Sequence, residues 1–368
     1  MKIICNQKLL ANKVGTVQKG VSNKTTIPIL KGILIETIDN KIKLIGNDLE
    51  LGIETFLDGE IIEEGSIVID SKLFGDIIRK LPDSFVEITT DTENNVYIKC
   101  ENSEFKIKGH SSEEYPKLLD VDENRFYEIS QNLFKNMIKQ TVFAISQDET
   151  KPILMGELLE IENNNISLVA IDGYRLAIRS DKIENFIGNS KVIIPGKALN
   201  EVNKILSEEG NFKIAFTDKH CLFLIKDTKI ITRLLEGEFI NYRQLIPREY
   251  NLRVQVNTKK LLNSIERASL LAKEGKNNLV KFSIRDDNMI ITSNSEIGNV
   301  YEEVPILLEG EDLDIAFNSR YFIEALKIID SEEIYLEFTT NVSPCILKPV
   351  DEIEYIYLLL PVRISANA

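Results

Sequence analysis

IVIDSKLFGDIIRKLP (67–82), VIIPGKALNEVNKILS (192–207) and IAFNSRYFIEALKIID (315–330) share one design: an apolar strand, a capping position, then an amphipathic helix. Aligning Asp70, Pro195 and Asn318 gives steps of 125 and 123 residues. A second series keeps the same order: IICNQKLLANKVGTVQK (3–19), YEISQNLFKNMIKQTVF (127–143) and VQVNTKKLLNSIERASLL (254–271). A third closes each unit: FKIKGHSSEEYPKL (105–118), RLLEGEFINYRQLIP (233–247) and LKPVDEIEYIYLLLP (347–361). A repeat of this length is a whole domain, not a solenoid unit. The chain of 368 residues is therefore expected to be α+β, with three similar domains at 1–123, 124–249 and 250–368. Each domain should hold two strand–helix–strands units, with helices on one face of antiparallel sheets.

Local signals place the elements. Helices should begin near residues 8, 72, 131, 197, 258 and 320, with Asn6, Ser71, Ser130, Asn257 and Ser319 as N-caps. Helical spacing picks out Leu73, Ile77 and Leu81; Leu199, Val202 and Leu206; and Phe322, Leu326 and Ile329 as the faces laid on a sheet. The gaps between helices are too long for single loops. They contain strand-like runs such as KIKLIGN (41–47), NVYIKC (95–100), NISLVAI (165–171) and NMIITSN (288–294). Domain boundaries should fall in DVDENRF (120–126) and REYNLR (248–253).

Composition narrows the function classes. Cys5, Cys100, Cys221 and Cys345 are scattered without CxxC spacing, and His110 and His220 are the only histidines, so neither a zinc site nor any other metal site is expected. No nucleotide loop, nucleophile elbow or HExxH motif occurs, so no catalytic residue and no cofactor is expected. The N-terminus does not read as a signal peptide, and YIYLLLPV (355–362) is too short to span a bilayer. A cytoplasmic protein without membrane association is the expectation.

Net charge is −14, which by itself argues against nucleic acid. The distribution says otherwise. The six expected helices carry 16 Lys and Arg against 4 Asp and Glu, so the rest of the chain carries −26. Asn12, Gln18, Asn132, Asn136, Gln140, Asn200, Asn203 and Asn263 also lie on them. Lys, Arg, Asn and Gln suit phosphate contact without base readout. If two chains closed a ring lined by these helices at roughly 10 Å spacing, the clear bore would be roughly 28 Å. A duplex roughly 20 Å across would pass through it.

VAIDGYRLAIRS (169–180), with TTIPILKGILIE (25–36), GNDLELGIE (46–54), GEFINYRQLIP (237–247) and YLLLPVR (357–363), resembles the bacterial DNA polymerase III beta subunit family over essentially the whole length. The central block departs from the family's T-D-G-H-R-L-A signature at Ile171 and Tyr174, and an ISANA tail (364–368) runs slightly past the usual end. The resemblance implies a non-catalytic sliding clamp: a head-to-tail homodimeric ring that encircles duplex DNA and confers processivity. Implied DNA-binding residues are Lys24, Lys72, Lys151 and Lys197. It also implies a hydrophobic pocket for a linear peptide with Gln, Leu and a terminal Leu-Phe. From the second domain come Leu154, Ile171, Gly173, Tyr174, Arg175, Leu176, Ile240, Gln244 and Leu245; from the third come Val342, Pro344, Leu360, Pro361, Val362 and Arg363. Arg175 and Gln244 are expected to orient polar groups at its rim, and Asp172–Gly173 to form a hairpin turn. Implied dimer contacts are Phe105 and Ile107 on one side and Leu270 and Leu271 on the other, with core burial the competing reading. Implied partners are the replicative polymerase alpha subunit, an ATP-dependent clamp loader, and other DNA polymerases and repair proteins.

Overall fold

Six α-helices form where caps and periodicity put them: α1 Gln7–Val17, α2 Ser71–Lys80, α3 Gln131–Thr141, α4 Gly196–Ile205, α5 Thr258–Ala272 and α6 Ser319–Leu326. They belong to a computed structural model that describes residues 1–22, 24–118, 126–184, 188–274, 278–351 and 353–363. The expected boundary at 123/124 and the ISANA tail lie outside the described residues. Asn6 and Asn257 cap as expected, accepting from Leu9 N (3.2 Å) and Lys260 N (3.0 Å). Ser71 and Ser319 do not. They are first helical residues, and the preceding Asp70 and Asn318 accept from Leu73 N (2.8 Å) and Arg320 N (3.0 Å). An extended residue with a short polar side chain reaches the free amides better than one already wound into the turn. Leu73 is also a correction. It is 47% exposed, because the face α2 buries runs through Phe74, Ile77 and Ile78.

Each third of the chain repeats strand–helix–strands twice, and Lys41–Asn47, Asn95–Cys100, Asn165–Ile171 and Asn288–Ser295 are strands as expected. Strand pairing then departs from a simple domain count. The chain divides into two compact units, Met1–Asn132 with Asn200–Leu234, and Leu133–Leu199 with Leu235–Ala368, a division that cuts through the middle repeat. Pairing across repeats accounts for this. In the first unit, Leu51–Leu57 of the first repeat pairs antiparallel with Thr228–Arg233 of the second, with Ile53 opposite Ile230, to make an eight-stranded sheet. In the second unit, Arg175–Lys182 of the second repeat pairs with Tyr355–Leu359 of the third, with Leu176 opposite Leu358, to make a nine-stranded sheet.

The two junctions obey one rule. The third strand after a repeat's first helix joins the final strand of another repeat. By that rule one pair of equivalent strands stays unjoined: Gly298–Pro305, at an edge of the second unit's four-stranded sheet, and Ser103–Lys108, at an edge of the first unit's five-stranded sheet.

The helices pack their apolar stripes on these sheets. In the second unit α5 buries Leu261, Ile265, Ala268 and Ala272. Phe322 of α6 meets Phe282 and Phe317 at ring distances of 5.2 and 5.1 Å. Such pairs add about 0.5–1.5 kcal/mol each beyond their buried area. All four cysteines are buried as free thiols.

Glu157, in strand Gly156–Glu162, is fully buried. Its Oε2 lies 2.5 Å from Thr141 Oγ1, which is also 2.8 Å from the Met137 carbonyl. The hydroxyl donates to Glu157 in this contact, and the other carboxyl oxygen, Oε1, is buried without a hydrogen-bond partner among the described residues. Burial pushes this carboxyl up to about 8, against the opposing effect of the Thr141 hydrogen bond. The sign follows: the unfolded carboxyl loses its proton first, so stability falls as pH rises from the ordinary Glu range to about 8. Glu157→Gln keeps the size and removes the titration. Its stability advantage over the wild type should grow by about 1.4 kcal/mol per pH unit across that window and level off above it. Urea melts from pH 5 to 9 check this, and parallel profiles for the two proteins would contradict it.

Candidate functional site

The outer face of the nine-stranded sheet carries the densest group of expected site residues. Leu154, Ile171 and Leu176 are buried and pack in one cluster with Leu158, Phe239 and Leu358. Around this floor the chain leaves large apolar side chains exposed: Tyr174 at 62%, Ile240 at 44%, Leu245 at 43%, Val342 at 67% and Leu360 at 39%. Gly173, Gln244 and Arg363 are exposed, while Pro344, Pro361 and Val362 are half-buried. Apolar side chains left in water beside a packed floor mark an interaction surface.

Local chemistry builds each wall. Asp172 closes the expected hairpin: its carboxylate accepts from Tyr174 N (2.9 Å) and Arg175 N (3.1 Å). Gly173 takes φ +95°, open to glycine without strain. This turn holds Tyr174 up at the rim. The Leu360 amide donates to the Tyr174 carbonyl (2.9 Å) and the Val362 amide to the Ala316 carbonyl (2.8 Å), which fixes the last residues beside it. The short 3-10 turn Tyr242–Leu245 presents Gln244 and Leu245. It is tied down by Glu160, whose carboxylate accepts from Tyr242 Oη (2.6 Å), Arg243 (2.9 Å) and Lys191 (3.3 Å). Burial raises Glu160, but these three donors outweigh it and hold the carboxyl below its usual range.

Arg175 stands elsewhere. Side chains alternate along a strand, so with Leu176 on the floor Arg175 points to the opposite face. Its side chain is 6% exposed. It pairs with Asp172 (2.9 Å) and Glu324, donates to the Phe143 carbonyl (2.6 Å), and stacks on Tyr321 at 4.5 Å. Burial works against its charge, yet Tyr357, Glu324 and Asp172 hold its pKa above the ordinary arginine value. It braces α6 instead of supplying a rim donor. Tyr321, which the sequence reading did not single out, lies 6.3 Å from Tyr174 in a near-parallel stack.

The expected DNA contacts Lys24, Lys72, Lys151 and Lys197 are all exposed. Several helix cations are engaged: Lys8 with Asp83, Arg79 with Asp76, Lys204 with Glu201, Arg267 with Glu302 and Lys327 with Glu266. Lys72, Lys80, Lys139, Lys259, Lys260 and Lys273 are exposed and make no ion pair among the described residues. No group of metal-ligating side chains forms among those residues.

The expected dimer contacts sit by the unjoined edges. Phe105 is 39% exposed in Ser103–Lys108, with Ile107 half-buried on the same strand. Leu270 is 66% exposed at the end of α5, with Leu271 half-buried. The sequence reading missed Ile297 and Tyr301, 71% and 60% exposed, in and beside Gly298–Pro305. The β-branched and aromatic residues Val300, Tyr301 and Val304 in NVYEEVP (299–305) could have flagged that strand.

Comparison with known proteins now fits this geometry. The architecture is the three-domain clamp fold: it is similar to the DNA polymerase sliding clamp of Bacillus subtilis (TM-score 0.96, 37% identity, 99% of this chain and 100% of that one). It is similar too to a putative DNA polymerase III beta subunit from Eubacterium rectale (TM-score 0.95, 40% identity, 99% and 100%). Residues 1–120, 128–241 and 243–363 match the N-terminal, central and C-terminal domains of the DNA polymerase III beta subunit. The chain is 38% identical to the beta sliding clamp of Staphylococcus epidermidis over 99% of both. It is equally identical to that of Halalkalibacterium halodurans over 99% of this chain and all of the other. The chain belongs to the DNA polymerase III beta subunit family.

Proposed function

We propose that two copies of this chain close head to tail around duplex DNA and act as a mobile tether for replication and repair proteins. The observation that carries this reading is the unjoined strand pair. Both junctions within the chain join the third strand after a repeat's first helix to the final strand of another repeat. Gly298–Pro305 and Ser103–Lys108 are the equivalent strands left over, each at a sheet edge. Bare edges are normally covered or paired. A third junction of the same kind, made between chains, gives a closed ring of six domains at 1–123, 124–249 and 250–368 of each copy. Phe105, Ile107, Leu270 and Leu271 then become buried contacts.

The ring puts the helices inward. Their exposed lysines, among them Lys72 and Lys197, together with Lys24 and Lys151, meet phosphates without reading bases, while the acidic remainder repels DNA elsewhere. Retention comes from topology, and the chain serves as a non-catalytic processivity factor. Opening the ring falls to an ATP-dependent loader. The outer groove floored by Leu154, Ile171 and Leu176 takes the Leu and Phe of a partner peptide, each worth about 1.5–3 kcal/mol on burial. Replicative polymerase and repair proteins carry such peptides. No described helix is long and apolar enough to cross a membrane, and the cytoplasm is the place for such a task. Native mass tests the reading first: about twice 41.9 kDa is expected, and a strict monomer at micromolar concentration would overturn it.

A further inference from the structure

Beyond Ile346 the floor turns from apolar to charged. A row of directly opposed residues runs across the outer face of the nine-stranded sheet: Leu176 faces Leu358, Leu358 faces Ile346, Ile346 faces Glu337 and Glu337 faces Arg253. Ile346 belongs both to the apolar cluster and to the wall of a cavity lined also by Arg248, Glu249, Arg253, Glu337 and Lys348. That cavity has an unusual electrostatic design. Glu337 is 6% exposed. One of its oxygens accepts from Arg253 (2.8 and 3.2 Å) and the other from Lys348 (2.7 Å). Two cations share this one buried carboxylate. Arg253 is held flat between Tyr250 and Tyr335, 4.1 and 4.8 Å from their rings. Its Nη1 has only Glu309, at 4.0 Å, and Arg248 makes no ion pair among the described residues. Glu249 is the other carboxylate in the lining and is exposed. Within the lining three cations face two carboxylates, with Glu309 a third carboxylate 4.0 Å from Arg253, and such a gathering of cations in a chain of net charge −14 singles this place out.

We infer that the Arg248–Arg253–Lys348 cavity is an extension of the peptide groove that binds an acidic side chain of the partner segment. This rests on the peptide reading of the groove given above. Charge complementarity selects a carboxylate, since a preset guanidinium fork and an ammonium beside it match one. Strand spacing sets the distance. Three steps from Leu176 to Glu337 span about 14 Å, which an extended peptide covers in about four residues.

The test uses the full-length protein and fluorescein-labelled peptides with a Gln-Leu-Leu-Phe core. Aspartate is placed four residues from the Leu-Phe pair, on the N-terminal side in one peptide and the C-terminal side in another, with Asn versions as controls. Anisotropy titrations in about 50 mM salt should give one Asp peptide an affinity roughly 3- to 10-fold above its Asn control. The gain should vanish in Arg248→Ala and in Lys348→Met, while the Asn peptides bind these variants as they bind the wild type. Asp and Asn peptides binding alike on both sides would overturn the inference and leave the groove intact. So would a variant that weakens the Asn peptides equally. Failure of every peptide to bind would overturn the groove reading itself.

Discussion

Leu270→Asp should convert the protein to a monomer, with native mass falling from about twice 41.9 kDa to 41.9 kDa. Leu270 is 66% exposed in the single chain, so a carboxylate there is solvated and the fold is left alone. In the closed ring the same carboxylate would be buried against the apolar side chains Phe105 and Ile107 of the other copy. Burying an unpaired charge costs several kcal/mol. At 1.4 kcal/mol per tenfold change in affinity, the dimer should weaken by a factor on the order of a hundred or more. Light scattering across a dilution series measures it. A variant that keeps the doubled mass at the wild-type midpoint would show that Leu270 lies outside the interface.

Deleting residues 361–368 should weaken partner-peptide binding on the order of tenfold to a hundredfold without changing native mass. Tyr355–Leu359 is the ladder that joins Arg175–Lys182, and Leu359 is buried. A cut after Leu360 spares that ladder and the bond from its amide to the Tyr174 carbonyl. What is lost is the wall made by Pro361, Val362 and Arg363, and with it most of the burial of one apolar peptide side chain, about 1.5–3 kcal/mol. Anisotropy with the Gln-Leu-Leu-Phe peptide reads the loss. Undiminished binding would move the pocket away from the C-terminus.

Much of the fold was legible because its signals are local. Caps and 3.6-residue periodicity gave all six helix starts to within a residue, and alternation gave the strands. The errors were also local. Ser71 and Ser319 looked like caps because serine caps well, but Asp70 and Asn318 stand one residue earlier and do it. Leu73 fits the spacing of Ile77 yet is exposed, because the buried stripe runs through Phe74, Ile77 and Ile78. What the sequence could not carry is pairing between distant strands. Nothing in Leu51–Leu57 names Thr228–Arg233 as its neighbour, because any apolar strand of matching length presents the same backbone groups. The compact units therefore fall differently from the repeats. In the groove, the hairpin Asp172–Gly173 and the apolar rim followed from residue type. Arg175 did not, because its charge suggested an exposed role and only the parity of the strand turns it inward. The cation pair on Glu337 escaped because Arg253, Glu337 and Lys348 are brought together by three strands, with no motif along the chain.

Topological linkage is tested most directly by retention. The protein is loaded onto nicked circular DNA by a clamp loader and ATP, isolated by gel filtration, and half the sample is linearised with a single-cut nuclease. Protein on the circle should persist through a wash at high salt, which screens its lysines, and should be lost from the linear form within the time needed to diffuse off an end. Equal retention on circle and line, or equal loss of both to salt, would show that contacts hold it there and that no ring encloses the duplex.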